Sequence, residues 1–255
     1  MNRTCSLCKQ QGHKRNNIKF HPAIPVIPVA IPVIPAAVQV PITDEIRSTL
    51  KSNFIKCVKG YHLINNDPIK EAPWEDINSI ILNASGCTVH SQSNGSHKSG
   101  EDLSCSLGKL SNKSTKYEAG NKSFNISSYR LTKVSSGGIE DIISEINKRK
   151  NFDFYSIIVR NDELYDWYLI PSDYPVFNPA SYKWELKLGK NNKSVGWKTD
   201  TLDGSSMSIT FSMSSQLWMN IHVTEEMQKF IVGSCNIHKG RELNYIELFE
   251  KSCTI

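Results

Sequence analysis

The chain has no uninterrupted apolar stretch long enough to span a bilayer, because its one long apolar segment, residues 22–41, is broken by proline every few residues. Its N-terminus carries Arg3, Lys9 and His13 where a secretory signal needs an apolar centre, so neither an export signal nor a membrane anchor is expected. A cysteine framework is missing too. Seven cysteines is an odd number, and Cys57, Cys87, Cys105, Cys235 and Cys253 are scattered, which fits a reducing compartment. Charge of one sign is not concentrated: 30 Lys+Arg against 25 Asp+Glu gives a net charge of +5, which permits a polyanionic partner without requiring one. Closely spaced histidines are absent as well, and the separation of His62, His90, His97, His222 and His238 argues against a histidine-based hydrolytic centre. The Asn-x-Ser triplets at Asn83 and Asn121 match glycosylation acceptors, but a chain this rich in Asn and Ser yields them by chance. The Asn, Lys, Ile and Ser bias fits an AT-rich genome, and the expected location is cytoplasmic, in a bacterium or in the host cell or virion of a large DNA virus.

With 255 residues the chain can bury one substantial core plus a small appendage. The repeated Pro-Val and Pro-Ile steps of 22–41 fix φ and remove backbone donors, so this stretch reads as an extended spacer or as an arm laid along the main domain. Beyond it, Thr43, Asp44 and Glu45 open a helix whose Ile46, Leu50, Phe54, Ile55 and Val58 recur at helical spacing up to Gly60. Pro73 opens a second helix with Trp74, Ile77, Ile80 and Ile81 inward and Gly86 past its end. Residues 102–131, punctuated by Gly108 and Gly120, read as hairpins, and a helix follows over Ile139–Lys148. Strands are expected at 152–159, 164–170, 182–188, 195–199 and 207–211, and helices at 225–231 and 245–251. This order predicts an α/β (α+β) domain with a mixed central sheet flanked by helices.

Cys5-x2-Cys8-x4-His13 puts two thiolates and an imidazole within reach of one zinc ion, the kind of staple a short segment needs when it has no core of its own. The segment 1–21 resembles a zinc knuckle, a single-strand nucleic-acid-binding module, down to Gly12 before the histidine. Where that family has its fourth ligand, this chain has Ile18, and His21 is the candidate to complete a structural zinc site.

Metal-dependent phosphodiester cleavage needs acidic oxygens for a hard cation and an ammonium for the scissile phosphate or the attacking water. Two stretches offer this. Asp102 leads into one strand and Lys113 lies on the next, with Gly108 at the turn between them, so a hairpin sets the two side by side. Asp173 followed by Glu185 and Lys187 spells an Asp, Glu-x-Lys set more literally, but Pro171, Pro175 and Pro179 place Asp173 in a meandering loop.

The first stretch resembles the restriction-endonuclease-like superfamily, the PD-(D/E)xK type, in its order of Glu75 helix, Asp102 turn, Lys113 strand and the segment from Ile126 to Arg130. The resemblance implies Mg2+ held by Asp102, with Lys113 as the catalytic lysine. Ser111 occupies the position usually held by an acid, and Glu75 is the candidate to supply the missing carboxylate. The C-terminal half interleaves Tyr165, Trp167, Tyr168, Trp184, Trp197 and Trp218 with Lys183, Lys187, Lys190, Lys193 and Lys198. Such a mixture serves either a sheet core or a DNA-contacting face. Ser111, Asn112, Arg130, Lys187, Lys198, Ser214 and Gln216 are the expected DNA-binding residues. The expected protein is thus a type II site-specific endonuclease for double-stranded DNA, acting as a homodimer, with 1–21 a zinc-knuckle-like accessory, 22–41 a linker and 42–255 the nuclease domain. The alternative is a non-catalytic zinc-knuckle nucleic-acid-binding protein.

Overall fold

A computed structural model describes residues 42–93, 100–131, 138–211 and 215–237, with the side chains of 129 and 130 outside that description. Cys5, Cys8, His13, His21, the 22–41 segment, Ser214 and the expected 245–251 helix all lie outside the described residues. What is described belongs to the unit Ala37–Ile255.

Helix α1 spans Asp44–Ile64, and Thr43 caps it by accepting the Ile46 N–H at 3.3 Å, with Asp44 and Glu45 in the first turn. It does not stop at Gly60, as expected from sequence, but continues to Asn65, whose backbone and side-chain amides both donate to Tyr61 O. His62, bonded to Asn65 O and Tyr165 Oη, ties that extra turn to the sheet. Helix α2 spans Glu71–Ala84, beginning two residues before Pro73, where the proline's missing N–H is no loss. Trp74, Ile77, Asn78, Ile81 and Leu82 are its buried face; Ile80, expected inside, is 57% exposed, and Asn78 takes an inward position in its place. Helix α3, Ile139–Arg149, buries Ile142 and Ile146.

The described strands are β1 (Val89–Gln92), β2 (Leu103–Cys105), β3 (Gly108–Glu118), β4 (Ser123–Arg130), β5 (Phe154–Asn161), β6 (Leu164–Pro171), β7 (Trp184–Leu188), β8 (Ser194–Thr199), β9 (Ser206–Thr210), β10 (Gln216–His222) and β11 (Ile231–Asn236). They form one mixed sheet in the order β11-β6-β5-β3-β4-β10-β9-β8-β7, with β1 and β2 added beside the start of β3. Among the described pairings only β3 with β5 is parallel, and α3 lies within the crossover between them. The fold is therefore α+β with a large mixed sheet and, among the described residues, three α-helices. No described helix is long and apolar enough to cross a membrane.

Alternation along the central strands divides the interior into two cores. Ile158, Tyr165, Trp167 and Leu169 pack with Leu50, Phe54, Trp74 and Ile81 of α1 and α2. Tyr155, Ile157, Val159, Tyr168 and Ile170 face the other way, onto Ile142 and Ile146 of α3 and onto Phe124, Met207, Leu217 and Met219 of the far strands. Consequently α1 and α2 cover one face of the sheet over β11, β6, β5 and β3, while the same face of β4, β10, β9, β8 and β7 has no helix on it among the described residues.

Two elements differ from expectation near the C-terminal end. Residues 225–231 form only a short 3-10 turn, Glu226–Phe230, before strand β11. The run after Phe211 contains strand β10, in which Leu217, Met219 and Ile221 are core and Gln216, Trp218, Asn220 and His222 face outward.

Candidate active site at the β3 edge

Strand β3 has β5 along one side, but on its other side the neighbours change. β2 pairs with Gly108, Lys109 and Leu110, and β4 pairs with Tyr117 and Glu118, so 111–116 have no strand beside them on that edge among the described residues. Side chains satisfy the exposed backbone instead. Asn112 N donates to Asp102 Oδ2 at 2.7 Å, Lys113 Nζ donates to Asn112 O at 2.7 Å, and Thr115 Oγ1 donates to Asn125 O at 2.6 Å.

Into this gap the fold brings Asp102, at the entry to β2, Lys113, from β3, and the first turns of α2. Lys113 Nζ lies 3.6 Å from Asp102 Oδ2 and 2.5 Å from Glu71 Oε1. Glu71 was not anticipated from the sequence, although its spacing four residues before Glu75 puts the two on one helix face. Ser111 donates to Asp102 Oδ2 at 3.2 Å and so orients the carboxylate. That leaves Asp102 Oδ1, Glu71 Oε2 and the Glu75 carboxyl without a hydrogen bond among the described residues.

Charge in the gap is unbalanced: Glu71 and Asp102 flank the one ammonium, and Glu75 lies close enough to feel the charge of all three. Burial pushes Asp102 above the usual aspartate range, against the opposing pull of Lys113 and the Asn112 amide. Burial draws the Lys113 ammonium down, but Asp102 and Glu71 outweigh it and hold the group above the ordinary lysine value. Glu75 is raised to about 7 by burial and then by the negative charge of Asp102 and Glu71, which Lys113 offsets only in part. Carboxylate oxygens are the ligand type a hard divalent cation takes. Among the described residues no three His, Cys, Asp or Glu side chains are already gathered as a metal-holding group, and the Lys113 ammonium stands between Glu71 and Asp102.

Behind the gap a buried polar chain joins α2 to the sheet. Asn78 Nδ2 donates to Asn112 Oδ1 at 2.6 Å and to Ser156 Oγ at 3.0 Å, Trp167 Nε1 donates to the same hydroxyl, and Trp74 Nε1 donates to Ser156 O. Asn78 Oδ1 and Asn112 Nδ2 remain unpartnered.

The other expected site residues fall elsewhere. Asp173 sits in the turn after β6 with its charge acting on Lys150, while Glu185 pairs across strands with Lys198 at 2.7 Å. No hydrogen bond or ion pair joins Asp173, Glu185 and Lys187 among the described residues, and Lys187 Nζ donates to Thr210 Oγ1 at 3.1 Å. Ser111 and Asn112, expected to contact DNA, are 2% and 0% exposed with their side chains turned to Asp102 and Asn78, so neither faces a ligand surface. Gln216 Nε2 reaches Ser128 O at 3.4 Å, and Lys198 is exposed. The Arg130 side chain and Ser214 lie outside the described residues. No family model, no curated protein and no solved structure matches the chain.

Proposed function

We propose that this protein is a Mg2+-dependent DNA endonuclease whose centre is the gap beside β3. The observation that carries the reading is the meeting of Lys113 with Asp102 and Glu71, from three separate elements, at the point where β2 and β4 part. Asp102, with Glu71 or Glu75, is the set that would hold Mg2+; the ion would supply positive charge for the scissile phosphate and acidity to a bound water. Lys113, buried and kept cationic by its neighbours, is suited to meet the phosphate oxygen or to hold the attacking water. Ser111 and the Asn112 amide fix the Asp102 carboxylate, leaving its second oxygen for a ligand. The fold around the site is of the mixed-sheet α+β class that the sequence leads one to expect. Double-stranded DNA as substrate and a homodimer as the acting form belong to the same proposal.

A second reading is favoured by the close Lys113–Glu71 pair, which already satisfies the ammonium as a purely structural bridge would. On that reading the protein binds nucleic acid without cutting it. Incubation of the full chain with varied plasmids and Mg2+, against an EDTA control, separates the two. Discrete fragments that vanish with EDTA support the endonuclease; intact plasmid across sequences and metals leaves the binding protein.

A further inference from the structure

Strands β4, β10, β9, β8 and β7 bury their Phe124, Ile126, Met207, Ile209 and Leu217 side against α3's core, and among the described residues no helix covers the opposite side. The registers Glu185↔Lys198↔Ser208↔Trp218↔Ser127 line up one row of side chains across all five strands on that open side. Trp218 is 46% exposed in the midst of this row, the one tryptophan among the exposed large hydrophobics. Its in-register neighbours are both serines, too short to cover an indole. Beside it β4 bulges between Ser127 and Arg130, a distortion that re-aims side chains, and Gln216 is bonded across the bulge.

Charge favours a polyanionic occupant. Between 183 and 200 the outer hairpin carries Lys183, Lys187, Lys190, Lys193 and Lys198 against Glu185 and Asp200. The Lys198–Glu185 pair is exposed on both sides, so its lysine is readily exchanged to a phosphate. The polar floor of the face, Ser208, Asn220 and Asn125, offers donors and acceptors without bulk, and Asn220 and Asn125 are held flat by their mutual bond of 3.0 Å. The row also has a direction. Trp218 pairs with Ser127 of β4, the strand that parts from β3 beyond Tyr117↔Phe124 and so borders the acidic gap.

We propose that this open face binds a single strand of nucleic acid, one unstacked base lying on Trp218 and the backbone crossing the Lys187 and Lys198 hairpin, so that the strand runs on into the Lys113 gap. An indole in a flat, small-residue surroundings offers its face to a ligand, and a base presents its own face only when it is out of a duplex stack. Within the double-stranded substrate proposed above, the strand so held is an unpaired stretch of the duplex. This rests on the reading of the protein as a handler of nucleic acid and narrows what it handles.

The test measures binding of the full-length protein in EDTA to oligothymidylate and to a hairpin duplex of equal length, by anisotropy and by tryptophan quenching. Expected is tighter binding of the single strand, about ten-fold or more weaker for Trp218→Ala and largely retained for Trp218→Phe, with quenching that disappears in the Trp218→Phe protein. Equal binding by wild type and Trp218→Ala overturns the inference, as does preference for the duplex. A change in sedimentation mass caused by Trp218→Ala without change in strand binding also overturns it, marking the face as a contact between copies. Plasmid cutting in Mg2+ that persists undiminished in Trp218→Ala leaves the nuclease reading intact while the stacking fails; Trp218-dependent strand binding by a protein that never cuts does the reverse.

Discussion

The Lys113 ammonium lies 3.6 Å from the Asp102 carboxylate, although one belongs to the middle of β3 and the other to the entry of β2. In a nuclease both act on the transition state more than on the bound substrate, so Asp102→Asn and Lys113→Met should each lower kcat by about a thousand-fold or more with DNA affinity nearly kept. Lys187→Ala, which removes only a bond to Thr210, should leave kcat within a few-fold. Single-turnover cleavage at saturating enzyme checks this. Loss of cutting confined to the Lys187 change would move the centre to Asp173 and Glu185.

Glu75 ties the site to pH. Its carboxyl titrates near 7 in the folded protein against an ordinary value of 4.5, so between those values the folded chain holds more protons than the unfolded one. Stability therefore declines as pH rises from about 4.5 to about 7, and the deficit is complete above that. In metal-free buffer Glu75→Gln should melt a few degrees above wild type at pH 8 and with little difference at pH 5. Parallel melting curves at both pH values would contradict the crowding of carboxylates around Asp102.

Cation binding should relieve the same crowding. Mg2+ without nucleic acid is expected to raise the Tm of wild type at pH 8 in a concentration-dependent way and to leave Asp102→Asn unmoved. An equal rise in both proteins would show that the ion acts elsewhere.

Asn78 is fully buried and bridges α2 to both β3 and β5. Asn78→Leu keeps the branched shape at a larger volume and strips Asn112 Oδ1 of its donor, so a loss of about 1–3 kcal/mol is expected in urea unfolding. Because the same bridge sets α2 against β3, kcat should fall while KM stays near its original value. A stability loss with full turnover would reduce the bridge to a packing device.

The N-terminal segment has its own test. The full chain should retain one equivalent of zinc, and the Cys5→Ser, Cys8→Ser double variant should retain none. Elemental analysis after dialysis at neutral pH decides it, and equal zinc contents would remove the ligand assignment.

Much of the fold could be read locally. The apolar run of β5, the Asp162-Glu163 turn with Asp162 at φ 50° and the mirrored run of β6 are signals carried within twenty residues. Asp102 and Lys113 were legible for the same reason, since a tight hairpin joins them. Glu71 went unread because its role depends on where α2 lands. β10 hid behind its outward polar side, although its Leu217, Met219 and Ile221 alternate faithfully. β11 was harder. Its Gly233 weakens the strand signal, yet a Cβ there would sit 3.1 Å from Phe54 and 3.2 Å from Lys51, and that need comes from α1, far away in sequence.

Gly196 shows how tightly the outer sheet is drawn. A Cβ at this position would lie 1.9 Å from Ile209 O, so Gly196→Ala should separate β8 from β9 and lower Tm by several degrees. Unchanged melting would mean that the two strands have room to part.

The parallel pairing of β3 with β5 also sets an order of events for the newborn chain. Every charged group of the gap lies between Glu71 and Lys113, whereas β5, which closes the other side of β3, ends only at Asn161. The β2–β3 hairpin can close in its own neighbourhood, but β5 must wait for the α3 crossover to be synthesised and docked. Until then the lysine and its acids are solvated and interact weakly. Pulse-labelled hydrogen exchange should accordingly find β2–β3 amides protected ahead of those in β5. The candidate centre is thus assembled from the first half of the chain and switched from wet to dry by the second, so that a nascent or truncated product carries its residues without its electrostatics.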